Sequence, residues 1–107
     1  MTSLKRARLA SVPKKSSYLY FIREVGTEYV KVGISYNPDK RLVDLQTGTP
    51  HDLELVVSIG PFQPAGDAGK WERWLHKNLK GRHIRGEWYY LSQKEITGIL
   101  EKIGWIK

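Results

Sequence analysis

Apolar and polar residues alternate along two segments near the start of the chain, residues 18–24 and 29–34, and this period of two is typical of strands. The intervening residues 25–28 contain a glycine and predict the turn of a β-hairpin. Leu19 and Phe21 would then face the core together with two valines of the second segment. The other face, which we expect to lie toward solvent, carries Tyr18, Tyr20, Tyr29, Lys31 and Gly33.

Two residues on that second face are unusual in the interior of a strand. Lys31 and Gly33 are both poor strand formers, and the glycine also offers no side chain for packing. Their position predicts that the backbone here must approach substrate or a neighbouring helix.

The segment after the hairpin has the signals of a helix. Asn37 is a good N-cap, Pro38 suits the first helical position and Gly48 is a natural stop. We therefore expect a helix over about 38–47. Its apolar stripe would place Arg41 close to the edge of the buried face.

Two more strands are predicted further along the chain. Alternation over residues 53–59 predicts a third strand, which we expect residues 60–61, a Gly-Pro pair, to end. A basic loop at 81–86 then leads to a short aromatic strand at 87–91.

Two helices complete the pattern. Residues 67–80 have the 3.6-residue period of an amphipathic helix, in which Glu72 borders the buried face and His76 lies one turn further on. Ser92 and Glu95 are spaced as a capping box and start a last helix. The apolar stripe of the first of these helices consists of Trp71, Trp74, Leu75 and Leu79.

The composition restricts the class of protein. With 107 residues, of which 40% are apolar, the chain suits one domain with one core. No stretch approaches the roughly 18 apolar residues of a membrane span and no secretory signal is visible, so we expect a soluble intracellular protein, in the cytoplasm or nucleoid, or in a host cell if it is viral. The absence of cysteine excludes disulfides and thiolate zinc sites.

The net charge of +7 is concentrated at the start of the chain. Residues 1–17 carry basic side chains and no acidic one, so we predict a flexible basic tail there and a domain over 18–107. A basic arm suits a polyanion, because each neutralised phosphate releases counterions. A solvated tail that only aids solubility and an organellar targeting segment are the alternatives.

Four residues form a set that suits cleavage of a phosphodiester. Such a reaction needs a group that activates or orients water, a cation for the charge on the phosphate, and a metal for the leaving oxygen. Tyr20 and Lys31 could serve the first need, Arg41 the second, and Glu72 could bind Mg²⁺ for the third. Each residue alone also has an ordinary interpretation, as a strand tyrosine, a solvating lysine, a surface arginine, or one member of an exposed helix pair with His76.

Five ordered segments, YLYFI, VKVGIS, NPDKR, WERWLH and RGEWYYLS, resemble the GIY-YIG nuclease superfamily, and specifically its phage-type branch. The resemblance covers about residues 18–92. It implies an α+β fold in which a small three-stranded antiparallel sheet is flanked by helices, with a short extra strand and a C-terminal helix, and it implies a divalent-metal-dependent endonuclease site. Tyr20 matches the first-motif tyrosine, Arg41 the arginine of the following helix, and Glu72 the metal-binding glutamate.

The chain departs from the superfamily pattern at two positions. The first-motif glycine is replaced, with Tyr18 or Ser17 in its place. Lys31 stands where the wider superfamily has a tyrosine that is a proposed general base, but the phage-type branch commonly has lysine there. A lysine acts as a base only if its pKa falls well below about 10.4, and otherwise it would hold the phosphate or lower the pKa of Tyr20. His76 and Glu87 match positions that recur in the branch.

The sequence therefore predicts a DNA endonuclease dependent on Mg²⁺ or Mn²⁺, with a catalytic set of Tyr20, Lys31, Arg41, Glu72 and His76. One alternative is a DNA-binding module that keeps the fold but does not cut, and a weaker one is that RNA is the polyanion. The retained Arg41 and Glu72 favour the enzyme. We expect weak sequence preference unless the protein forms a homodimer or acts with a protein partner. The residues expected to contact nucleic acid are Lys70, Arg73, Lys77, Arg82 and Arg85.

Overall fold

The computed structural model describes residues 17–62 and 66–105. The basic tail predicted from the sequence lies outside the described residues, apart from Ser17. Within the described part of the chain, no helix has the length and apolar character needed to cross a membrane.

The described residues form strands and helices close to the predicted positions, and every predicted element is present. The strands are β1 (Ser17–Glu24), β2 (Tyr29–Ser35), β3 (Leu53–Phe62), β4 (His83–Arg85) and β5 (Trp88–Tyr90). The helices are α1 (Pro38–Gln46), α2 (Gly66–Asn78) and α3 (Gln93–Lys102), with a 3₁₀ turn at Lys80–Arg82.

The predicted hairpin and the separation of its two faces are confirmed. β1 pairs antiparallel with β2, with Tyr20 opposite Gly33 and Ile22 opposite Lys31. Residues that lie directly opposite each other share a face of the sheet, so Tyr20, Gly33 and Lys31 are on one side. The other side carries the core residues Leu19, Phe21, Val30 and Val32, all fully buried.

Helices α2 and α3 cover the core side of the sheet. Leu75 of α2 and Ile96 and Leu100 of α3 are buried in the same cluster as the hairpin residues. The apolar stripe predicted for α2 is confirmed, since three more of its members pack against this cluster while half-buried: Trp71, Trp74 and Leu79.

Most of the second face of the hairpin is covered and Tyr29 at its end stays 42% exposed, which corrects the expectation that this whole face lies toward solvent. Tyr20 and Ile22 on this face are fully buried. Helix α1 contacts β1, β2 and β3, and because α2 and α3 occupy the opposite side, α1 covers this one. A strand that is buried on both faces shows less contrast between its two sets of residues than alternation alone predicts.

The sheet has five antiparallel strands in the order β3-β1-β2-β5-β4, where the sequence predicted three strands and a short extra one. The additional strand β4 falls in the segment predicted as a basic loop. All three of its residues are exposed, so it has no apolar alternation that would identify it. Gly86, with a φ of 54°, makes the turn into β5.

The third strand is longer than predicted, because it continues through the Gly-Pro pair to Phe62. Proline lacks the N–H that a central strand would need, but β3 is an edge strand with only one neighbour. The pairing of β1 with β3 shifts register between Ser17 and Leu19, opposite this pair. An irregular edge strand therefore accommodates the Gly-Pro pair, which the sequence pattern predicted to end the strand.

Both predicted helix starts are confirmed by their caps. The side chain of Asn37 accepts a hydrogen bond from the backbone N–H of Lys40, and Pro38 is the first residue of α1. At the start of α3, the Ser92 hydroxyl accepts from the Glu95 N–H and the Glu95 carboxylate accepts from the Ser92 N–H.

Replacing Ser92 with alanine should destabilise the protein by about 1 kcal/mol, because the N–H of Glu95 loses its capping partner. Urea unfolding followed by circular dichroism measures this free energy. Lys94→Ala is the matched control on the same turn, and as an exposed surface change it should stay within about 0.5 kcal/mol of wild type. Equal stability of Ser92→Ala and Lys94→Ala would show that the cap contributes nothing.

Candidate active site

Tyr20 lies at the centre of the candidate site, with its ring against Gly33 of the neighbouring strand. A Cβ added at Gly33 would stand 2.6 Å from the hydroxyl oxygen of Tyr20 and 3.0 Å from a carboxylate oxygen of Glu87. Any side chain at this position would displace one or both groups. The group that lies close to this strand is thus the phenol of Tyr20, within the same sheet, where the sequence predicted substrate or a neighbouring helix.

The hydroxyl of Tyr20 is buried and has no hydrogen-bond partner among the described residues. Burial raises the pKa of Tyr20, the positive charge of Arg41 opposes this rise, and the negative charges of Glu87 and Glu72 add to it. At neutral pH the group is therefore an uncharged phenol. Arg41 is itself an exposed residue of α1, so its positive charge acts on Tyr20 from the solvent side.

Glu72 and His76 face each other across one turn of α2. The Nε2 atom of His76 lies 3.6 Å from Oε2 of Glu72, and the two side chains are 32% and 17% exposed. That carboxylate oxygen is buried without a hydrogen-bond partner among the described residues. Burial raises the pKa of Glu72, the negative charge of Glu87 raises it further, and His76 opposes the rise.

The ring of His76 is fixed from its other side by Tyr89 of β5. Nδ1 of His76 and the hydroxyl of Tyr89 share a hydrogen bond, in which the donor depends on the tautomer. Tyr89 is buried to 1% exposure, so its hydroxyl has little freedom to turn elsewhere. The arrangement directs Nε2 toward the carboxylate of Glu72.

Glu87 links the two halves of the site. Its Oε1 lies 3.1 Å from Nζ of Lys31, whose side chain is only 14% exposed. Ligand atoms of Glu72, His76 and Glu87 also lie within 4.8 Å of one another, close enough to hold a metal ion together. Two carboxylates at such a distance repel, which a bound cation would relieve.

The structure brings together all the residues that the sequence predicted as catalytic. Lys31 contacts Glu87, His76 faces Glu72, and Arg41, Glu72 and Glu87 all act on the ionisation of Tyr20. They come from β1, β2, α1 and α2, which are separated in sequence. Their catalytic roles stay predictions.

The basic residues predicted to contact nucleic acid lie on three elements, α2, the 3₁₀ turn and β4. Lys70, Arg73 and Lys77 are exposed along one face of α2, and Lys70 lies 3.6 Å from Asp67. Arg82 is paired with Glu95 at 2.6 Å, and Arg85 is exposed on β4 at the sheet edge. The pairing leaves Arg82 less available to a phosphate than the sequence suggested.

Sequence reasoning missed Tyr89 and assigned no role to Glu87. The strand pattern contained a signal for Tyr89. In WYYL this tyrosine follows Trp88 directly, so its side chain must lie on the other face of the strand, which is the core side beside α2. The position of Glu87 had no such signal. It depends on pairing between β2 and β5, in which the Val32 N–H donates to the Glu87 carbonyl.

Gly33→Ala should destabilise the protein by about 1–3 kcal/mol, because its methyl group overlaps the Tyr20 hydroxyl and the Glu87 carboxylate. The matched control is Gly98→Ala in α3, where an added Cβ meets nothing within 4 Å. That change should stabilise the helix by up to about 1 kcal/mol. Chemical denaturation of both variants measures the two effects, and a neutral Gly33→Ala would contradict the packing of Tyr20 over this glycine.

Glu72→Gln should unfold at a higher temperature than wild type at pH 7, measured in EDTA. The pKa of Glu72 is raised in the folded state, so the stability that this group contributes is full below its unfolded pKa and is lost as pH rises through the folded value. Glutamine stays neutral and escapes that loss. The expected gain is several degrees, since 1 kcal/mol shifts the midpoint by roughly 4–8 °C in a domain of this size.

The gain from Glu72→Gln should disappear below about pH 4, where both residues are uncharged. Glu101→Gln on the exposed face of α3 is the control and should leave the midpoint unchanged at both pH values. A Glu72→Gln variant that is less stable than wild type at pH 7 would show that the carboxylate is satisfied in the fold.

Comparison with protein families identifies the chain. Residues 17–104 match the T5orf172 domain, so the match covers all five strands and all three helices described above. Comparison with curated proteins and with solved structures gave no match. The chain therefore belongs to the T5orf172 domain family, and this domain is found in phage-type nuclease-like proteins.

Proposed function

We propose that this protein is a metal-dependent endonuclease that hydrolyses phosphodiester bonds in DNA, with a site of the GIY-YIG type. The observation that carries the proposal is a pair of buried oxygens, Oη of Tyr20 and Oε2 of Glu72, that have no hydrogen-bond partner among the described residues. Buried polar atoms are almost always satisfied in folded proteins. Two exceptions in one site indicate that substrate, water or metal satisfies them.

Glu72 and Glu87 are the residues that would hold the cation, and a ring nitrogen of His76 lies next to their carboxylates. Carboxylate oxygens are the ligands that Mg²⁺ and Mn²⁺ prefer, and the unpartnered oxygen of Glu72 suits such a bond. The fit is supported by the mutual repulsion of the two carboxylates, which contributes to the raised pKa of Glu72. A divalent cation bound there would stabilise negative charge on the phosphate and leaving oxygens.

Arg41 and Lys31 supply the positive charges that the chain itself directs to a phosphate. Arg41 is exposed, carries a permanent charge and offers a planar fork that matches two phosphate oxygens. The ammonium of Lys31 is held by Glu87 at 3.1 Å, which fixes its position beside the Tyr20 phenol. We assign Lys31 to holding the phosphate.

Tyr20 acts as a neutral phenol, because burial raises its pKa. Its buried hydroxyl has no partner within the described part of the fold and can hydrogen-bond to a water that enters the site, which orients the water without removing its proton. As the water oxygen bonds to phosphorus, one bridging P–O bond breaks and the leaving oxygen gains a proton. His76 accepts the water proton, Tyr89 holds its ring in place, and solvent supplies the proton of the leaving oxygen.

Membership of the T5orf172 family supports a nuclease-like or DNA-binding function, and the net charge of +7 supports a polyanionic substrate. The chemistry of the site favours cleavage over binding alone. A module that only bound DNA would gain nothing from a buried carboxylate beside the phosphate, because the negative charges repel. A cation removes this repulsion, so the carboxylate favours the metal-dependent enzyme.

Nicking of supercoiled plasmid in the presence of Mg²⁺ or Mn²⁺ tests the proposal. Wild type should convert the plasmid to open circles and EDTA should stop it. Glu72→Ala should abolish the metal-dependent cut, and Arg41→Ala should slow it by about 10²–10³-fold, as expected for loss of one group that stabilises transition-state charge.

The matched controls are Glu101→Ala on α3 and Lys40→Ala beside Arg41, both at exposed positions. Each should cut like wild type. If wild type binds DNA but never nicks it with either metal, the protein is the non-cleaving module. If Glu72→Ala cuts as fast as wild type, the metal assignment is wrong.

A further inference from the structure

Three aromatic side chains lie together on the face of the sheet that carries Lys31. Tyr29 of β2 is opposite Tyr90 of β5, and Lys31 is opposite Trp88. Tyr29 and Tyr90 are 42% and 46% exposed. Arg85 of β4 is opposite Trp88 and is exposed as well. We call Tyr29, Trp88, Tyr90 and Arg85 the aromatic surface.

The aromatic surface is shaped to receive a flat group. The rings of Tyr29 and Tyr90 meet edge to face, with centroids 5.7 Å apart and planes at 61°, so each ring supports the other while both side chains stay nearly half exposed. An open groove of about 300 Å³ runs beside them and is lined by Glu24, Tyr29, Ile84, Arg85 and Trp88.

The aromatic surface is continuous with the candidate active site. Nζ of Lys31 lies 5.9 Å from the ring centroid of Trp88, and the same ammonium lies 3.1 Å from Glu87. Lys31 is thus shared between the two regions. A chain that passes over Trp88 reaches the proposed phosphate-holding groups without leaving this face of the sheet.

We propose that the aromatic surface binds unpaired nucleotides of a single-stranded DNA segment next to the bond that is cut. Bases of an unpaired strand stack on exposed tyrosine rings, whereas bases inside a duplex are covered by their neighbours. Arg85 and Lys31 provide positive charge at both sides of Trp88 for the phosphates that link those bases. The substrate class of the proposed nuclease, on which this inference rests, is therefore DNA with a single-stranded portion.

The binding half of this inference is tested without cleavage, in EDTA. Fluorescence anisotropy compares a labelled single strand of about 12 nucleotides, a length within the range that small single-strand-binding sites cover, with a blunt duplex of the same sequence. The variant is the double substitution Tyr29→Ala with Tyr90→Ala. Its affinity for the single strand should fall about five-fold or more, and its affinity for the duplex should change little.

Two matched variants identify stacking as the cause. Tyr29→Phe with Tyr90→Phe keeps both rings and should bind the single strand like wild type. Trp105→Ala removes an aromatic residue that is 47% exposed but lines a groove beside β3, at the opposite edge of the sheet, and it should also bind like wild type. Arg85→Glu should weaken the single-strand complex without removing any ring, which guards against misfolding of the double variant.

Several results would overturn the inference. One is an equal loss of affinity for single strand and duplex, and another is no loss for either. A third is that wild type sediments as a dimer and the double alanine variant as a monomer, which would make the aromatic surface a contact between two copies of the chain.

Failure of the proposed function gives a different pattern. If wild type never nicks DNA while the aromatic variants still lose single-strand affinity, the surface binds as proposed and the nuclease assignment fails. If plasmid and a duplex with a single-stranded tail are both cut, and the tail gives no advantage that depends on Tyr29 and Tyr90, the nuclease stands and the substrate class is wrong.

Discussion

The site depends on one packing contact, that of the Tyr20 ring across Gly33. Because this glycine has no side chain, the end of the phenol packs against the neighbouring strand, with its oxygen 2.6 Å from the position that a Cβ would take. The same space adjoins the carboxylate of Glu87, so one missing methyl group admits both. Helix α1 covers this face and brings Arg41 within electrostatic reach of Tyr20. A larger residue at position 33 would separate the groups that the proposed chemistry needs together.

The same region holds two of the three buried polar side-chain atoms that have no hydrogen-bond partner among the described residues. Glu72 is buried with an unpartnered oxygen, its pKa is raised by that burial and by Glu87, and the Tyr20 hydroxyl is unpartnered as well. The core on the other face of the sheet offsets these costs through fully buried residues such as Leu19, Phe21 and Leu75. Proteins commonly tolerate such local conflict where a ligand resolves it, and a cation with a phosphate would resolve this one.

Local patterns predicted much of the fold. The hairpin was visible in its period of two, α1 in Asn37 and Pro38, and α3 in the spacing of Ser92 and Glu95, because each of these signals acts within a few residues. The pairing of β5 with β2 and the existence of β4 were less accessible. The residues of β4 are all exposed and carry no periodic signal, so its place in the sheet depends on partners elsewhere in the chain.

By itself the sequence determined which residues share a face of the hairpin and which border the buried stripe of α2, because chain geometry sets both periods. It thereby placed Tyr20 with Lys31, and Glu72 with His76. Only the tertiary structure decided that Tyr20 is buried, that Lys31 pairs with Glu87 and that Tyr89 holds His76. Each of these facts requires contact between elements far apart in sequence, and no local pattern specifies how a helix covers a sheet or where two distant side chains meet.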